Sequence, residues 1–365
     1  MSTARACIDQ VITNLTYGDA VATSALTFQT ILRDWGYDSR IWALRVDDRL
    51  AGDGWRADLD SMRARRLAAV IFHYSTYSPA LELVEQLASP LLLVYHNVTP
   101  PSYFYGWNDV LAEAVRRGRY ELPRLAEQTA VAVAFSELSR RDLVAAGYRD
   151  SRVIPFGFDS RDHGIAPDEA IVSRWSSAGW VNLLFVGRLA PNKRHDKLLE
   201  VYYYYKRRIE PQSRLFFVGG DEGMSEYRRA VEGWIERWRL ADVYLTGHVT
   251  MAELDAYYRV ARVFLCVSDH EGFGVPLLEA MHHGVPVIAY ANAAVPETLG
   301  GAGILVRDRD PAYVAEIVHL LATDRGLRAR VVAGQRDRLR AHDREALAGA
   351  LAPALKTVLS QPIAR

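Results

Sequence analysis

Short apolar runs alternate along the chain with stretches in which apolar residues recur every three or four positions. The first run covers residues 6–13, and the stretch after it places Val21, Ala25, Phe28 and Leu32 on one face of a predicted helix. Because strands that alternate with helices usually pair in parallel, this pattern predicts a mostly parallel, doubly wound α/β sheet.

The alternation of strands and helices occurs twice. Strands are predicted in the first half at 6–13, 39–44, 67–72, 91–95, 131–135 and 152–155, and in the second half at 181–186, 215–218, 243–246, 263–267, 287–290 and 304–306. Between the halves, residues 156–175 are polar and irregular and include Asp162, His163 and Gly164, which is typical of a linker. We therefore expect two Rossmann-like domains, 1–157 and 158–342, and a last helix at about 345–359 that kinks or breaks at Pro353.

The composition disfavours several classes of partner and site. Lysine and arginine together number 44, as do aspartate and glutamate, so no net field attracts nucleic acid or anionic lipid. The two cysteines, Cys7 and Cys266, fall in apolar runs of different halves, which predicts small buried residues rather than a disulfide or a zinc site. Because the chain has no apolar run near about 18 residues and no signal-peptide pattern, we expect a cytoplasmic protein.

The segment 268–284 combines a strand exit, a glycine-rich loop and a helix start. It follows the apolar run 263–267, and its loop leads into Pro276 and a helical pattern that Gly284 ends. Proline suits the first helical position, and glycine suits the C-terminal stop. The free amides and the positive dipole end of such a helix favour an anion, most often a phosphate.

Two carboxylates, Glu271 and Glu279, stand in the same segment. Carboxylates repel a phosphate, but they accept hydrogen bonds from hydroxyl groups. The combination therefore favours a ligand that carries both a phosphate and a polyol, such as a nucleotide sugar. An ordinary glycine-rich turn with two solvated glutamates is the alternative for this segment taken alone.

Two segments resemble one known family. Glu271 and Glu279 enclose seven residues, and Glu-Gly-Phe-Gly-Val-Pro-Leu-Leu-Glu-Ala resembles the E-x7-E signature of retaining glycosyltransferases of family 4. The loop after the strand 181–186 contains Gly187, Arg188 and Lys193, and it resembles the G-R-x4-K element of the same family. Two solvated cations on a surface loop are the alternative for this second segment, and the presence of the first segment disfavours it.

The resemblance implies the GT-B fold, in which two Rossmann-like domains face a central cleft and the final helix, about 343–365, returns to the acceptor-side N-terminal domain. The C-terminal domain then binds a nucleoside diphosphate sugar. The implied catalytic residues are Glu271, His96, Arg188 and Lys193. The implied donor-binding residues are Gly18, Asp19, Gly187, His248, Val249, Phe273, Gly274, Val275, Leu277 and Glu279.

The family also implies roles for these groups. Arg188 and Lys193 neutralise the diphosphate and the charge that develops on it as the sugar leaves. Glu271 holds sugar hydroxyls, Glu279 holds ribose hydroxyls, and the anomeric configuration is retained. Because two cations serve the diphosphate, we expect no cofactor and no divalent metal. Residues 58–60, Asp-Leu-Asp, have a metal-binding spacing but lie in a polar stretch that favours the surface.

The first half contributes fewer candidates. His96 follows the predicted strand 91–95, and the carboxyl ends of parallel strands border the crevice where α/β proteins bind ligands. A lone histidine more often has a structural hydrogen bond, whereas the resemblance implies contact with the donor sugar. Gly18 lies in the first strand-to-helix turn, where the family usually has paired glycines. The aromatic and basic stretch 103–120 suits an acceptor site or a membrane-facing patch, and both stay open.

The expected function is transfer of a hexose-type sugar to an acceptor hydroxyl in bacterial surface polysaccharide or glycolipid biosynthesis. A lipid-linked acceptor would bring the protein to the inner face of the membrane, and a natural-product aglycone is the alternative acceptor. A noncatalytic nucleotide-sugar-binding protein is the alternative of a different class. A Rossmann-type oxidoreductase is disfavoured because no Gly-x-Gly-x-x-Gly follows the first strand.

Overall fold

The computed structural model describes residues 5–50, 55–56, 60–159 and 166–362, and it forms two compact units. Unit 1 contains the described residues up to 100, together with 113–159 and those from 342 onward, and unit 2 contains 101–112 and the described residues up to 341. Segment 101–112 therefore belongs to unit 2, although the sequence assigns it to the first domain. Asp58, Asp162, His163 and Gly164 lie outside the described residues.

Unit 1 is built on a parallel sheet. Its described strands are β1 (Cys7–Leu15), β2 (Ile41–Val46), β3 (Trp55–Arg56), β4 (Leu67–Tyr74), β5 (Leu91–Tyr95), β6 (Thr129–Ala134) and β7 (Ser151–Val153). Their order is β3-β2-β1-β4-β5-β6-β7, with every neighbouring pair parallel. The strands β4 and β5 are almost entirely buried, because helices cover both faces of such a sheet.

Helices connect these strands in the described part of the chain. They are α1 (Ala20–Asp34), α2 (Asp60–Arg63), α3 (Ala80–Glu85), α4 (Asp109–Glu121) and α5 (Glu137–Ala145). Helix α1 begins where the Asp19 carboxylate accepts from the amides of Val21 (3.0 Å) and Ala22 (3.3 Å).

Unit 2 is built on a second parallel sheet. Its described strands are β8 (Val181–Val186), β9 (Ser213–Val218), β10 (Val243–Gly247), β11 (Val263–Cys266), β12 (Val287–Tyr290) and β13 (Ile304–Val306). Their order is β10-β9-β8-β11-β12-β13. The order reverses direction between β8 and β11, and ligands of open α/β sheets bind at the carboxyl ends of strands at such a point.

The helices of unit 2 follow its strands. They are α6 (Glu169–Trp175), α7 (His195–Tyr204), α8 (Ser225–Arg237), α9 (Met251–Val260), α10 (Val275–His282), α11 (Val295–Leu299), α12 (Pro311–Thr323) and α13 (Arg325–Arg340). The last helix of the chain, α14 (Arg344–Leu359), packs in unit 1 against β4, β5 and β6. None of the helices in the described part of the chain is long and apolar enough to cross a lipid bilayer.

The structure departs from the sequence-based prediction at four points. The predicted linker ends earlier, because Asp168 caps helix α6. Of the kink or break predicted at Pro353, the break does not occur, since helix α14 continues through this residue. Strand β3 was missed because it is two residues long. Cys266 is buried as expected, but Cys7 is only half-buried.

A close approach of backbone at the carboxyl ends of β8 and β9 positions the loop that follows β8. Gly219 has φ +145°, and a Cβ atom on it would lie 2.6 Å from the carbonyl carbon of Gly187. The Gly187 amide donates to the Val218 carbonyl at 2.9 Å, which holds the two strand ends together. Only glycine at position 219 avoids both the steric clash and the strained φ.

We expect Gly219→Ala to destabilise unit 2 by roughly 1–3 kcal/mol, because the new methyl group must displace the Gly187 backbone. This corresponds to a fall in melting temperature of at least about 2–4 °C. Calorimetry of the purified variant measures the effect. Gly233→Ala is the matched control, since Gly233 lies in helix α8 and a Cβ there meets nothing within 4 Å. A Gly219→Ala variant as stable as this control would contradict the packing argument.

Candidate functional site

The two segments that carry the family resemblance follow adjacent strands of unit 2. Strand β8 pairs with β11 in parallel, so the loops 187–194 and 267–274 leave the sheet side by side at its carboxyl edge. Two hydrogen bonds of Asn192 join the loops. Its backbone carbonyl accepts from the Asp269 amide at 2.8 Å, and its side-chain amide donates to the His270 carbonyl at 3.0 Å. Buried Asn192 therefore aligns the two loops before any ligand binds.

Lys193 and Glu271 form an ion pair between these loops. The Lys193 ammonium lies 2.6 Å from Glu271 Oε2, and both side chains are largely buried. The sequence assigned Lys193 to a diphosphate and Glu271 to sugar hydroxyls without pairing them. The ammonium neutralises the carboxylate, and the two groups form one polar centre.

A second ionic cluster lies beside this pair. Asp269 accepts from Arg194 at 2.7 Å and from Arg309, whose guanidinium stacks on the Tyr290 ring at 4.1 Å. Arg194 has φ +56°, which is uncommon for a residue other than glycine. Its hydrogen bonds to Asp196, and then those to Asp269, hold its pKa above the usual range. The cluster fixes the strained turn at which helix α7 begins.

Helix α10 begins at the end of the glycine-rich loop. Gly274 is the N-cap residue with φ +97°, Val275 is the first helical residue, and Pro276 is the second rather than the first as the sequence predicts. The first amides of a helix have no partner within it, so Val275 keeps its predicted place as an anion donor. The Leu277 amide instead donates to the Gly274 carbonyl at 3.0 Å. The assignment of this amide to the ligand stays a prediction, and here the amide closes the first turn of the helix.

Glu279 lies one turn further along α10 and is partly buried. Burial raises the pKa of its carboxyl group to about 6, although the hydrogen bond from Tyr258 acts in the opposite direction. The Tyr258 hydroxyl donates to Glu279 Oε2 at 2.7 Å, and its ring stacks on His283 with centroids 4.9 Å apart. The carboxylate is thus held in one orientation, and it becomes protonated as the pH falls through about 6.

The other predicted donor contacts of unit 2 lie on the same sheet edge. Gly187 and exposed Arg188 follow β8, while exposed His248 and half-buried Val249 follow β10. Phe273 is buried, and its carbonyl accepts from Thr298 Oγ1 at 2.5 Å. The structure gives Phe273 a role in fixing the glycine-rich loop.

In unit 1, two of the three predicted residues stand at the turn between β1 and α1. Gly18 is exposed, with φ +75° and no atom within 4 Å of a Cβ placed on it, so its surroundings leave room for a ligand. Asp19 is the N-cap of α1, a structural role that the sequence did not predict for it. His96 lies just after β5 and is half-buried, and its Nε2 atom lies 2.9 Å from Nδ1 of His73.

Several residues around the site were missed. Tyr103 and Trp107 come from segment 101–112, whose role stayed open; their rings contact His270 at 6.0 Å and Tyr227 at 5.1 Å within unit 2. Tyr258 and Arg309 were missed because they are distant in sequence from the groups they contact. Asn192 and Arg194 lie in the loop 187–194, which the sequence analysis had already singled out. Their position in that loop was the signal that could have identified them.

Part of the sequence is similar to known proteins, and this part includes both loops of the candidate site. Residues 181–324 match the family described as glycosyl transferases group 1. The O-antigen chain mannosyltransferase B of Escherichia coli is 32% identical over 144 residues, which is 39% of this chain and 37% of that protein. A D-inositol 3-phosphate glycosyltransferase of Streptomyces avermitilis is 33% identical over 155 residues, or 40% of this chain and 33% of that protein. The chain thus spans about a third of the length of these curated relatives.

Solved structures extend the likeness to the whole fold. A sucrose-phosphate synthase of Thermosynechococcus elongatus matches with a TM-score of 0.76 at 19% identity, over 98% of this chain and 100% of that one. The Anabaena protein HepE, crystallised with UDP and glucose, matches with a TM-score of 0.75 at 17% identity, over 97% and 100%. The predicted α/β fold class, GT-B with two Rossmann-like units, is confirmed.

We expect Tyr258→Phe to raise the pKa of Glu279 from about 6 to roughly 7, because the variant removes a hydrogen bond that favours the ionised form. A ¹³C-carboxyl NMR titration, assigned with Glu279→Gln, measures this pKa. Tyr202→Phe is the control, since it removes a buried hydroxyl that donates to the Ser213 carbonyl in the same unit. An unchanged or lower pKa in Tyr258→Phe would show that this hydroxyl does not hold the carboxylate.

Proposed function

We propose that this protein transfers a hexose-type sugar from a nucleoside diphosphate sugar to an acceptor hydroxyl with retention of configuration. The match of residues 181–324 to the glycosyl transferases group 1 family supports this proposal. One observation carries the proposal. The Lys193–Glu271 pair joins a cation that suits a phosphate to a carboxylate that suits hydroxyls, beside the start of α10. A nucleotide sugar presents both kinds of group within one molecule.

The diphosphate binds to Arg188, Lys193 and the first amide of α10 in this proposal. Arg188 lies at the exit of β8, and Lys193 lies between that exit and Glu271. The helix dipole adds positive potential at Val275. In this proposal the two cations and the helix start stabilise the charge on the leaving diphosphate. The two cations supply that charge, so we propose a reaction that needs no divalent metal and no cofactor.

Glu271 and Glu279 bind hydroxyl groups in this proposal. Glu271 is held in place by Lys193, whose ammonium lies 2.6 Å from Oε2. Glu279 sits one turn into α10, where its fixed carboxylate accepts from a ribose diol. Acidification through about pH 6 protonates Glu279 and weakens that contact. An intact nucleotide sugar isolates this effect, because its esterified diphosphate does not titrate there.

Retention follows if Glu271 binds hydroxyls away from the reacting carbon. The acceptor oxygen then forms its bond to the anomeric carbon on the face that the diphosphate leaves. The bond from that carbon to the phosphate oxygen breaks, and this oxygen takes the proton of the acceptor hydroxyl. Charge that builds up on the diphosphate is neutralised by Arg188 and Lys193.

The named relatives support a saccharide acceptor. One of them is an O-antigen chain mannosyltransferase, and HepE binds UDP and glucose in its crystal structure. We therefore propose a UDP or GDP sugar as donor and a bacterial surface polysaccharide or glycolipid as product. In this proposal the protein acts in the cytoplasm, and a lipid-linked acceptor draws it to the membrane surface.

We expect one nucleotide sugar among those of UDP, GDP, ADP and dTDP to raise the melting temperature of the protein. At a concentration about 100 times Kd, the stabilisation is about 2.7 kcal/mol. Arg188→Ala and Glu279→Ala should weaken binding about tenfold or more, because each removes a charge-assisted contact. Arg330→Ala is the control, since it removes an exposed arginine on α13 of the same unit.

Two results would overturn parts of this proposal. If no nucleotide sugar stabilises the wild type at millimolar concentration, the donor site is wrong. If one binds but is neither transferred nor slowly hydrolysed, the noncatalytic alternative holds. Glu271→Gln distinguishes binding from chemistry, because we expect it to reduce kcat at least tenfold, whereas Arg330→Ala leaves kcat unchanged.

A further inference from the structure

Three polar side chains lie on one face of the sheet of unit 1. Gln10 in β1 pairs with Ile71 of β4, and His73 follows two positions later on the same face. His73 pairs with Val94 of β5, and His96 again follows two positions later. The three side chains therefore step diagonally across adjacent strands towards the carboxyl edge of the sheet.

These side chains form a continuous chain of hydrogen bonds. Gln10 Oε1 lies 2.8 Å from His73 Nε2, and His73 Nδ1 lies 2.9 Å from His96 Nε2. At the other end, Gln10 Nε2 donates to the Ala25 carbonyl of α1 at 3.1 Å. Gln10 and His73 are fully buried. Their burial means that the bonds among these groups, rather than bulk water, determine where the protons lie.

The Ala25 carbonyl determines which atom donates and which accepts in each of these hydrogen bonds. A carbonyl can only accept, so the Gln10 group that faces it is the amide nitrogen, and the amide oxygen faces His73. His73 Nε2 must then carry the hydrogen. In a neutral imidazole the other nitrogen, Nδ1, accepts, so its hydrogen bond comes from a hydrogen on Nε2 of His96.

Both histidines are neutral in this arrangement. Burial lowers the pKa of His73 well below its usual value, and the neighbouring His96 lowers it further. Burial also lowers the pKa of His96 to about 3. The ring neighbours are Phe28 against His73, with centroids 5.4 Å apart, and Phe135 against His96 at 5.2 Å. Both phenylalanine rings are uncharged, so neither stabilises an imidazolium as a carboxylate would.

We propose that Gln10 and His73 are positioning residues that keep His96 in the tautomer with hydrogen on Nε2 and a lone pair on Nδ1. His96 then presents a neutral hydrogen-bond acceptor. Such a group accepts from a ligand hydroxyl and does not attract an anion. Resting on the proposed function, Nδ1 is the atom through which His96 accepts from a hydroxyl of its ligand.

NMR of the ¹⁵N-histidine-labelled full-length protein tests the tautomer without any ligand. Among the ten histidines, His96→Gln assigns the signals of interest. We expect at pH 7 a protonated Nε2 and an unprotonated Nδ1 at His96. A protonated Nδ1 or an imidazolium at His96 would overturn the proposal, whatever the enzyme does.

Variants test whether the buried residues cause this state. We expect Gln10→Met and His73→Phe to leave His96 in a mixture of tautomers and to lower kcat/KM by about 10- to 100-fold, the range for residues that orient a ligand-binding histidine. Tyr148→Phe is the control, because it removes a different buried hydrogen bond of unit 1, from Tyr148 to the Leu122 carbonyl. If His96 keeps the same tautomer in both variants, the hydrogen bonds of Gln10 and His73 do not act as proposed.

Donor titration separates this proposal from the proposed function. We expect the matching nucleotide sugar to shift the His96 Nδ1 signal and the corresponding nucleoside diphosphate to leave it unchanged. A protein that binds no nucleotide sugar but shows the expected tautomer refutes the donor assignment alone. If a nucleotide sugar binds and the His96 Nδ1 signal does not shift, the hydrogen bond from a ligand hydroxyl to this atom is refuted.

Discussion

The fixed alignment of two loops at the carboxyl ends of β8 and β11 is the constraint on which the candidate site depends. The strands are hydrogen-bonded neighbours, so the loops leave the sheet together, and Asn192 then binds the second loop through its carbonyl and its side-chain amide. Only after this alignment can Lys193 reach Glu271 at 2.6 Å. The polar centre is therefore a consequence of strand order and of one asparagine.

The ion pairs are better understood as orienting groups than as sources of stability. A partly buried pair loses hydration energy that its attraction roughly balances, yet removal of one partner leaves a charge uncompensated at a cost of about 3–5 kcal/mol. Lys193 and Glu271 therefore orient each other. Arg194, Asp269 and Arg309 hold the turn before α7 in the same way.

The sequence predicts those features that depend on neighbours in the chain. Strand β5 (Leu91–Tyr95) and β12 (Val287–Tyr290) have their predicted bounds, because continuous apolar runs determine buried strands. The loop before α10 was predicted from its glycines and Pro276. The Tyr258–Glu279 contact was not, since it joins residues 21 positions apart that are brought together by packing. Helix α14 likewise continues through Pro353 because its packing against unit 1 outweighs the local cost of proline.

The polar cluster around Lys193 and the one around His73 are accommodated by different physical means, and the difference follows from where they lie. In unit 2 the candidate groups stand on loops at a sheet edge, where full charges remain partly hydrated and can be paired. In unit 1 the sheet interior surrounds Gln10 and His73, and an isolated charge there would cost several kcal/mol. Neutral groups that donate at one atom and accept at another are the solution compatible with that interior. This is why the groups hydrogen-bonded in series to His96 are an amide and an imidazole. The single backbone carbonyl of Ala25 determines which of their atoms donate and which accept.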